Sequence, residues 1–192
     1  MKDKRKYIIL AVISALFIYL DQITKIWATN NLKGKSPIIV IENYFDLRYV
    51  TNRGAAWGMF GNFGTDFRIP FFIVITIIAS LVLGYYYHRL KRKQLILQFA
   101  LAFVVAGMIG NFIDRVFVTF VVDFIDWHVG AHHWPTFNIA DVAISIGMGL
   151  IVIDFILHHK EYAENEAKRI EEKKRKKESV GAGSHANPKE EN

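Results

Sequence analysis

Asp123 and Asp141 are the two side chains in this sequence best suited to chemistry. When two carboxyl groups share a site, both cannot ionise cheaply, so the pKa of one rises. One then holds a proton while the other deprotonates water, which suffices to hydrolyse a peptide bond without a metal or a nucleophilic side chain. Other polar residues fall at spacings that could support such a pair. Asn111, Asp114 and Arg115 stand at i, i+3 and i+4, and Asn138 and Asp141 at i and i+3, so each set shares one helical face. Asp21 and Lys25 stand at i and i+4, the spacing of a helical ion pair.

Competing chemistries are poorly served. The chain has no Cys, which excludes a thiol nucleophile, a disulfide scaffold and a Cys-ligated metal. His128, His132 and His133 could form a metal site with Asp123 or Asp126. However, HExxH is absent and these histidines lie beside Trp127 and Trp134, so they are read as interfacial residues. No metal and no cofactor is expected to take part. Gly34-Lys35-Ser36 resembles the end of a P-loop but lacks the leading Gly and the preceding strand. No serine sits in GxSxG. The net charge of +6 reflects basic flanks of membrane segments, not a nucleic-acid surface.

The elements that must position these residues are apolar helices. A helix needs about 20 residues to cross about 30 Å of hydrocarbon, and the sequence predicts four transmembrane helices at 7–27, 69–88, 95–117 and 137–157. The fold class expected is an all-α membrane protein with a small extracytoplasmic loop domain containing β-strands. The first helix imitates a signal peptide, but no small-x-small cleavage site follows it. Lys2, Lys4, Arg5 and Lys6 precede helix 1, and Arg89, Lys91, Arg92 and Lys93 fill the loop before helix 3, whereas 118–136 has no Lys or Arg. Basic residues in short flanks mark the cytoplasmic side, so both termini and the 88–94 loop are expected inside, with 28–68 and 118–136 outside. Strands are expected at Ile38 to Ile41 and Phe45 to Val50. The tail 160–192 is dense in charge and is expected to be a frayed helix and disordered chain.

With that orientation, Asp21, Asn52, Asn111, Asp114, Arg115, Asp123, Asn138 and Asp141 all arrive at the outer membrane interface, and helix 2 adds no ionisable group. Charged groups at such depths mark function or a structural ion pair. Both readings stand for Asp21–Lys25, and for Asp114–Arg115, one of which could equally hold a loop. Asp154 reads as an interfacial residue reaching for solvent, Asp126 as a solvated loop residue, and Phe60, Phe63, Phe71 and Phe72 as interface aromatics. A proton relay or small transporter is a competing function, although a relay needs ionisable groups spread across the bilayer. A non-catalytic assembly factor is another, and requires Asp123 and Asp141 to be dispensable.

Five blocks carry a family resemblance: Asp21-Gln22-Ile23-Thr24-Lys25, Asn52-Arg53-Gly54-Ala55-Ala56-Trp57, Gly107 to Arg115 (GMIGNFIDR), Val122-Asp123-Phe124-Ile125 and Phe137-Asn138-Ile139-Ala140-Asp141. In this order they resemble the motifs of the lipoprotein signal peptidases, the bacterial type II signal peptidases of aspartic peptidase family A8. The resemblance covers residues 7 to about 157 and leaves the tail out. It implies that Asp123 and Asp141 are the catalytic dyad, and that Asn52, Asn111, Arg115 and Asn138 support the dyad or contact substrate. It further implies that Asp21 and Lys25 are a structural or substrate-supporting pair, and that Asp114 stabilises the fold. The substrate implied is a prolipoprotein carrying a diacylglyceryl Cys, cut just before that Cys on the outer face of the cytoplasmic (inner) membrane. Partners are then such prolipoproteins and membrane lipid, with no nucleic acid, and the enzyme is expected to be a monomer. Gly107 and Gly110 are expected to let the substrate's apolar helix approach closely.

Overall fold

The computed structural model describes residues 4–54 and 64–184. The chain forms two compact units, Met1–Ile151 and Val152–Asn192. Helix α1 spans Lys4–Leu32, followed by strands β1 (Ile38–Ile41) and β2 (Phe45–Asn52). Helices α2 (Thr65–Arg89) and α3 (Leu95–Phe117) come next, then β3 (Val121–Val129), β4 (His132–His133) and α4 (Ile139–Ser184). Among the described residues four stretches are long and apolar enough to cross a membrane: Lys4–Leu32, Thr65–Arg89, Leu95–Phe117 and Ile139–Lys160. Val12, Leu81, Ile78 and similar side chains are exposed on these helices. In water that would be costly, whereas lipid tails are as apolar as the side chains.

The inner surfaces of the helices are polar where the backbone needs partners. Lys6 is buried, and its Nζ donates to the carbonyls of Tyr87 (3.3 Å), His88 (2.6 Å) and Leu90 (3.0 Å). These belong to the last carbonyls of α2, which have no intrahelical partner and carry the negative end of the helix dipole. The Tyr87 hydroxyl donates back to the Lys6 carbonyl. Gln98 holds the loop before α3 by donating to Lys91 O at 2.9 Å.

Helix α2 begins earlier than the sequence predicts and takes in a buried cation. Arg68 lies inside it, with Nη2 donating to Thr119 O at 3.3 Å. Helix 2 therefore does contribute an ionisable residue. Phe72 is buried beneath the Arg115 guanidinium, 4.6 Å from ring centroid to Cζ, and is not an interface aromatic. Phe60 and Phe63 lie outside the described residues, as do Ala55, Ala56 and Trp57 of the second motif block.

The strands form one antiparallel sheet in the order β1-β2-β3-β4. The first two match the expected strands closely; β3 and β4 come from 118–136, for which the sequence predicts no strand. Gly130 has φ +57° in the β3–β4 turn, a left-handed conformation that Gly adopts without a Cβ penalty. Val122 and Phe124 of β3 pack on Ala28 and Leu32 at the end of α1, which seats the sheet on the bundle. In the second unit the helix continues through Ser184, over the first part of the stretch that the sequence reads as a frayed helix and disordered chain. Alternating Glu and Lys/Arg at i, i+4 spacings in this stretch favour that outcome. Asp154 is buried and pairs with His158 at 3.2 Å, in place of the solvent-seeking role expected of it.

Candidate active site

The site is assembled around the start of α4. Asn138 is the cap residue and Asp141 the third residue of the helix. Asp141 N–H donates to Asn138 Oδ1 (3.1 Å), and Asn138 N–H donates to Asp141 Oδ2 (3.2 Å). This is a reciprocal capping box built from Asn and Asp. It fixes the position of the Asp141 carboxylate at the N-terminus of α4.

Asn138 serves a second carboxylate at the same time. Its Nδ2 donates to Asp123 Oδ1 at 2.6 Å, with Asn111 Oδ1 and Val122 O at 3.2 and 3.3 Å. One wholly buried asparagine therefore touches both Asp123 and Asp141. Asn52 lies close enough to Asp123 to favour its charged form, while its Oδ1 accepts from Gly54 N–H at 2.9 Å. Burial, then the charge of Asp141, push the Asp123 carboxyl up to about 7, against the lowering effect of Asn52 and Asn138.

Behind the pair lies a polar network linking α1 and α3. Lys25 Nζ is 2.9 Å from Asp21 Oδ2, 3.1 Å from Asp114 Oδ2 and 3.1 Å from Asn111 Oδ1. A lysine can only donate, so it obliges Asn111 to present its oxygen there and its Nδ2 elsewhere. That Nδ2 donates to Asp141 Oδ1 at 2.8 Å. Asp21 Oδ1 in turn accepts Ala140 N–H at 2.9 Å, satisfying another orphan donor of α4. Asp114 Oδ2 accepts Val122 N–H at 3.0 Å, tying β3 beside Asp123 to α3. Gln22, singled out only as part of a motif block, donates to Asp21, Gly110 O and Asp114.

Arg115 stands apart from this chain of bonds. It donates to Asn111 O (3.0 Å) and Gly54 O (3.1 Å), and its charge is within electrostatic reach of both Asp123 and Asp141. Gly107 and Gly110 face the bundle's own helices. A Cβ on Gly107 would lie 2.1 Å from Ala140 O, and one on Gly110 2.6 Å from Asp21 Oδ2. The close approach they allow is therefore used by α4 and α1, and is not open to a substrate helix. Asp126 is 1% exposed and paired with Arg48, not a solvated loop residue.

The family model described as Signal peptidase (SPase) II matches residues 13–157. The chain belongs to that family. The "Lipoprotein signal peptidase" of Syntrophotalea carbinolica is 42% identical over 76% of this chain and 89% of its own length. That of Geobacter metallireducens is 37% identical over 80% and 93%. A solved bacterial membrane enzyme is 34% identical, with a TM-score of 0.71 over 79% of this chain and 90% of its own. As a signal peptidase II family member, the chain is an aspartic peptidase and a multi-pass bacterial membrane protein. The family match ends before the second half of α4, so the tail lies outside the shared peptidase unit.

Proposed function

We propose that this enzyme removes the signal peptide of prolipoproteins, cutting just before a diacylglyceryl-modified Cys, with Asp123 and Asp141 as the dyad. The observation that carries the reading is Asn138, whose Nδ2 and N–H serve the two carboxylates together. Asp123 holds the resting proton and Asp141 is the base. Asp141 takes a proton from water as that water attacks the scissile carbonyl, and Asp123 protonates the oxygen or the leaving amine. Asn111 and Asn138 position the dyad, and Arg115 places positive charge near the developing oxyanion. An apolar hollow of about 770 Å³ is lined by Ile125, Trp127, Phe137 and Val142, chain neighbours of the site residues, and by His128, His133 and Trp134 among others. Ile125 and Trp127 share the Asp123 face of β3 by alternation. This hollow suits the lipid chains on the substrate Cys. Purified protein incubated with a diacylglyceryl-modified prolipoprotein should give the smaller, signal-free product. An intact substrate after incubation with a folded, monodisperse preparation would refute the assignment.

The proton on Asp123 predicts the alkaline limb of the pH profile. A carboxyl raised to about 7 is neutral below that pH and ionised above it. The acid form should therefore be lost, and kcat/KM should fall, as pH rises through about 7 to 8. A rate that keeps rising to pH 9 would mean that Asp123 does not supply the proton.

We also propose that both termini lie in the cytoplasm and the dyad at the outer face, as the basic flanks indicate. The absence of native Cys makes single-Cys reporters clean. Ser36→Cys should react with an impermeant thiol reagent in intact spheroplasts, and Ser184→Cys only after the membrane is opened. Ser36 is preferred to Gly130, whose φ of +57° would strain any L side chain. Reversed labelling would invert the orientation. The transporter reading is disfavoured because the middle of each span, such as Tyr7 to Leu20 and Leu95 to Ile113, holds no charged residue.

A further inference from the structure

A second group of ionisable side chains lies on the opposite face of β3. Side chains alternate along a strand, so Asp126 and His128 share a face that Asp123 does not. Asp46 of β2 stands directly across from Asp126, and His133 of β4 across from His128. The two imidazoles stack with centroids 4.6 Å apart. Like charges directly opposite in a sheet repel, and Asp126 is 1% exposed, so water screens little of that repulsion.

Arg48 answers only half of this cluster. Arg48 Nη2 pairs with Asp126 Oδ2, and His133 Nδ1 lies 2.9 Å from the same oxygen. His128 Nε2 is 3.4 Å from Asp46 Oδ2, long for a hydrogen bond. Asp46 Oδ1, Asp126 Oδ1 and His128 Nε2 are buried without a hydrogen-bond partner among the described residues. Buried polar atoms of this kind are uncommon and ask for a ligand. One ligand atom from each of Asp46, Asp126 and His128 lies within 4.8 Å of the other two.

We propose that Asp46, Asp126 and His128 bind a divalent transition-metal ion of the zinc class, at a site separate from the dyad. Carboxylates alone would suit magnesium or calcium, and the imidazole moves the preference to zinc. Three protein ligands leave a fourth position for water. Bonds of about 2.1 Å need the ligand atoms nearer together than they stand, so binding requires the Asp46 and His128 side chains to turn toward Asp126. Arg48 and His133 both hold Asp126 by Oδ2, which leaves Oδ1 free and orients it, the role of outer partners at metal sites. The ion relieves the Asp46–Asp126 repulsion and links β2 to β3. Its role is to brace the sheet that carries Asp123, with no part in the hydrolytic step.

The test uses the full-length protein in detergent, stripped with EDTA and titrated with zinc, magnesium or calcium chloride. Zinc should bind at one ion per chain and raise Tm, whereas magnesium and calcium should not. Asp46→Asn and His128→Gln should each weaken zinc binding by more than about tenfold, the loss that an outer partner alone can cause. Cobalt(II) gives a readout on the unmutated chain, since a site with one imidazole and two carboxylates should show visible d–d bands that zinc abolishes. Prolipoprotein cleavage should persist in EDTA. Absence of stoichiometric zinc and cobalt binding would overturn the proposal, as would unchanged zinc affinity in both folded variants or an equal Tm rise with magnesium. Cleavage lost in EDTA and restored by zinc would overturn the bracing role and place the ion in the reaction.

Discussion

Asp141→Asn should lower prolipoprotein cleavage by at least about 10²- to 10⁴-fold, the range that general acid–base groups contribute. The substitution keeps size and removes the titrating group. It also disturbs hydrogen bonds in a definable way. Both Asp141 oxygens accept, from Asn111 Nδ2 and from Asn138 N–H. An amide has only one acceptor oxygen, so one of those donors must face the new NH₂. The structural loss should be about 1.5–3 kcal/mol, that of one hydrogen bond to a charged group, a loss of stability that does not explain the loss of rate in protein that remains folded. Asp123→Asn should be as inactive, although its alkaline limb cannot then be measured. Near-normal turnover by either variant, folded by its elution profile and Tm, would remove the dyad from the mechanism and favour the assembly-factor reading.

The proposed dyad is legible because its residues sit in compact motifs, and because basic flanks alone bring the polar groups to one depth. The helices are legible from uncharged runs such as Ile69 to Tyr87. The sheet is half visible. β3 reads VVDFIDWHV, with apolar residues on both faces, since Val122 and Phe124 pack on α1 while Ile125 and Trp127 line the hollow. A strand apolar on both faces shows no period of two, and the segment therefore reads as loop. Asp126 reads as solvated because its partner Arg48 is 78 residues away. The same limit applies to Asp21. Its i, i+4 partner Lys25 is evident, whereas its bond to Ala140 N–H spans 119 residues and needs the two helix ends to meet. The local spacing therefore leaves Asp21–Lys25 balanced between an isolated ion pair and part of the site, and only the fold joins it to Asn111 and Asp141.

That connection makes the choice of partner removed decisive, and Lys25→Met should be the most damaging change outside the dyad. Lys25 is 3% exposed and stands between Asp21 and Asp114, both at 5% or less. Removing it leaves two buried carboxylates close together with no ammonium between them. Breaking a buried ion pair from one side costs about 3–5 kcal/mol. Asp21→Asn leaves Lys25 with Asp114, a neutral pair, and an Asn oxygen can still accept Ala140 N–H. Its cost should be smaller, about 1.5–3 kcal/mol, the value of a hydrogen bond to a charged group. The two variants should also differ in catalysis. Without Lys25 only the longer 3.2 Å contact from Asn138 Nδ2 still holds the Asn111 oxygen away from Asp141, so kcat should fall even where the protein survives purification, while KM changes little. In the Asp21→Asn variant the Lys25–Asn111 bond remains, so kcat should stay within about tenfold of the parent, a barrier change of no more than about 1.4 kcal/mol. Thermal inactivation in detergent and steady-state kinetics on the two variants measure both effects. If Asp21→Asn proves the more damaging in Tm and in kcat, the carboxylate at the α4 N-terminus, and not the ammonium, organises the network.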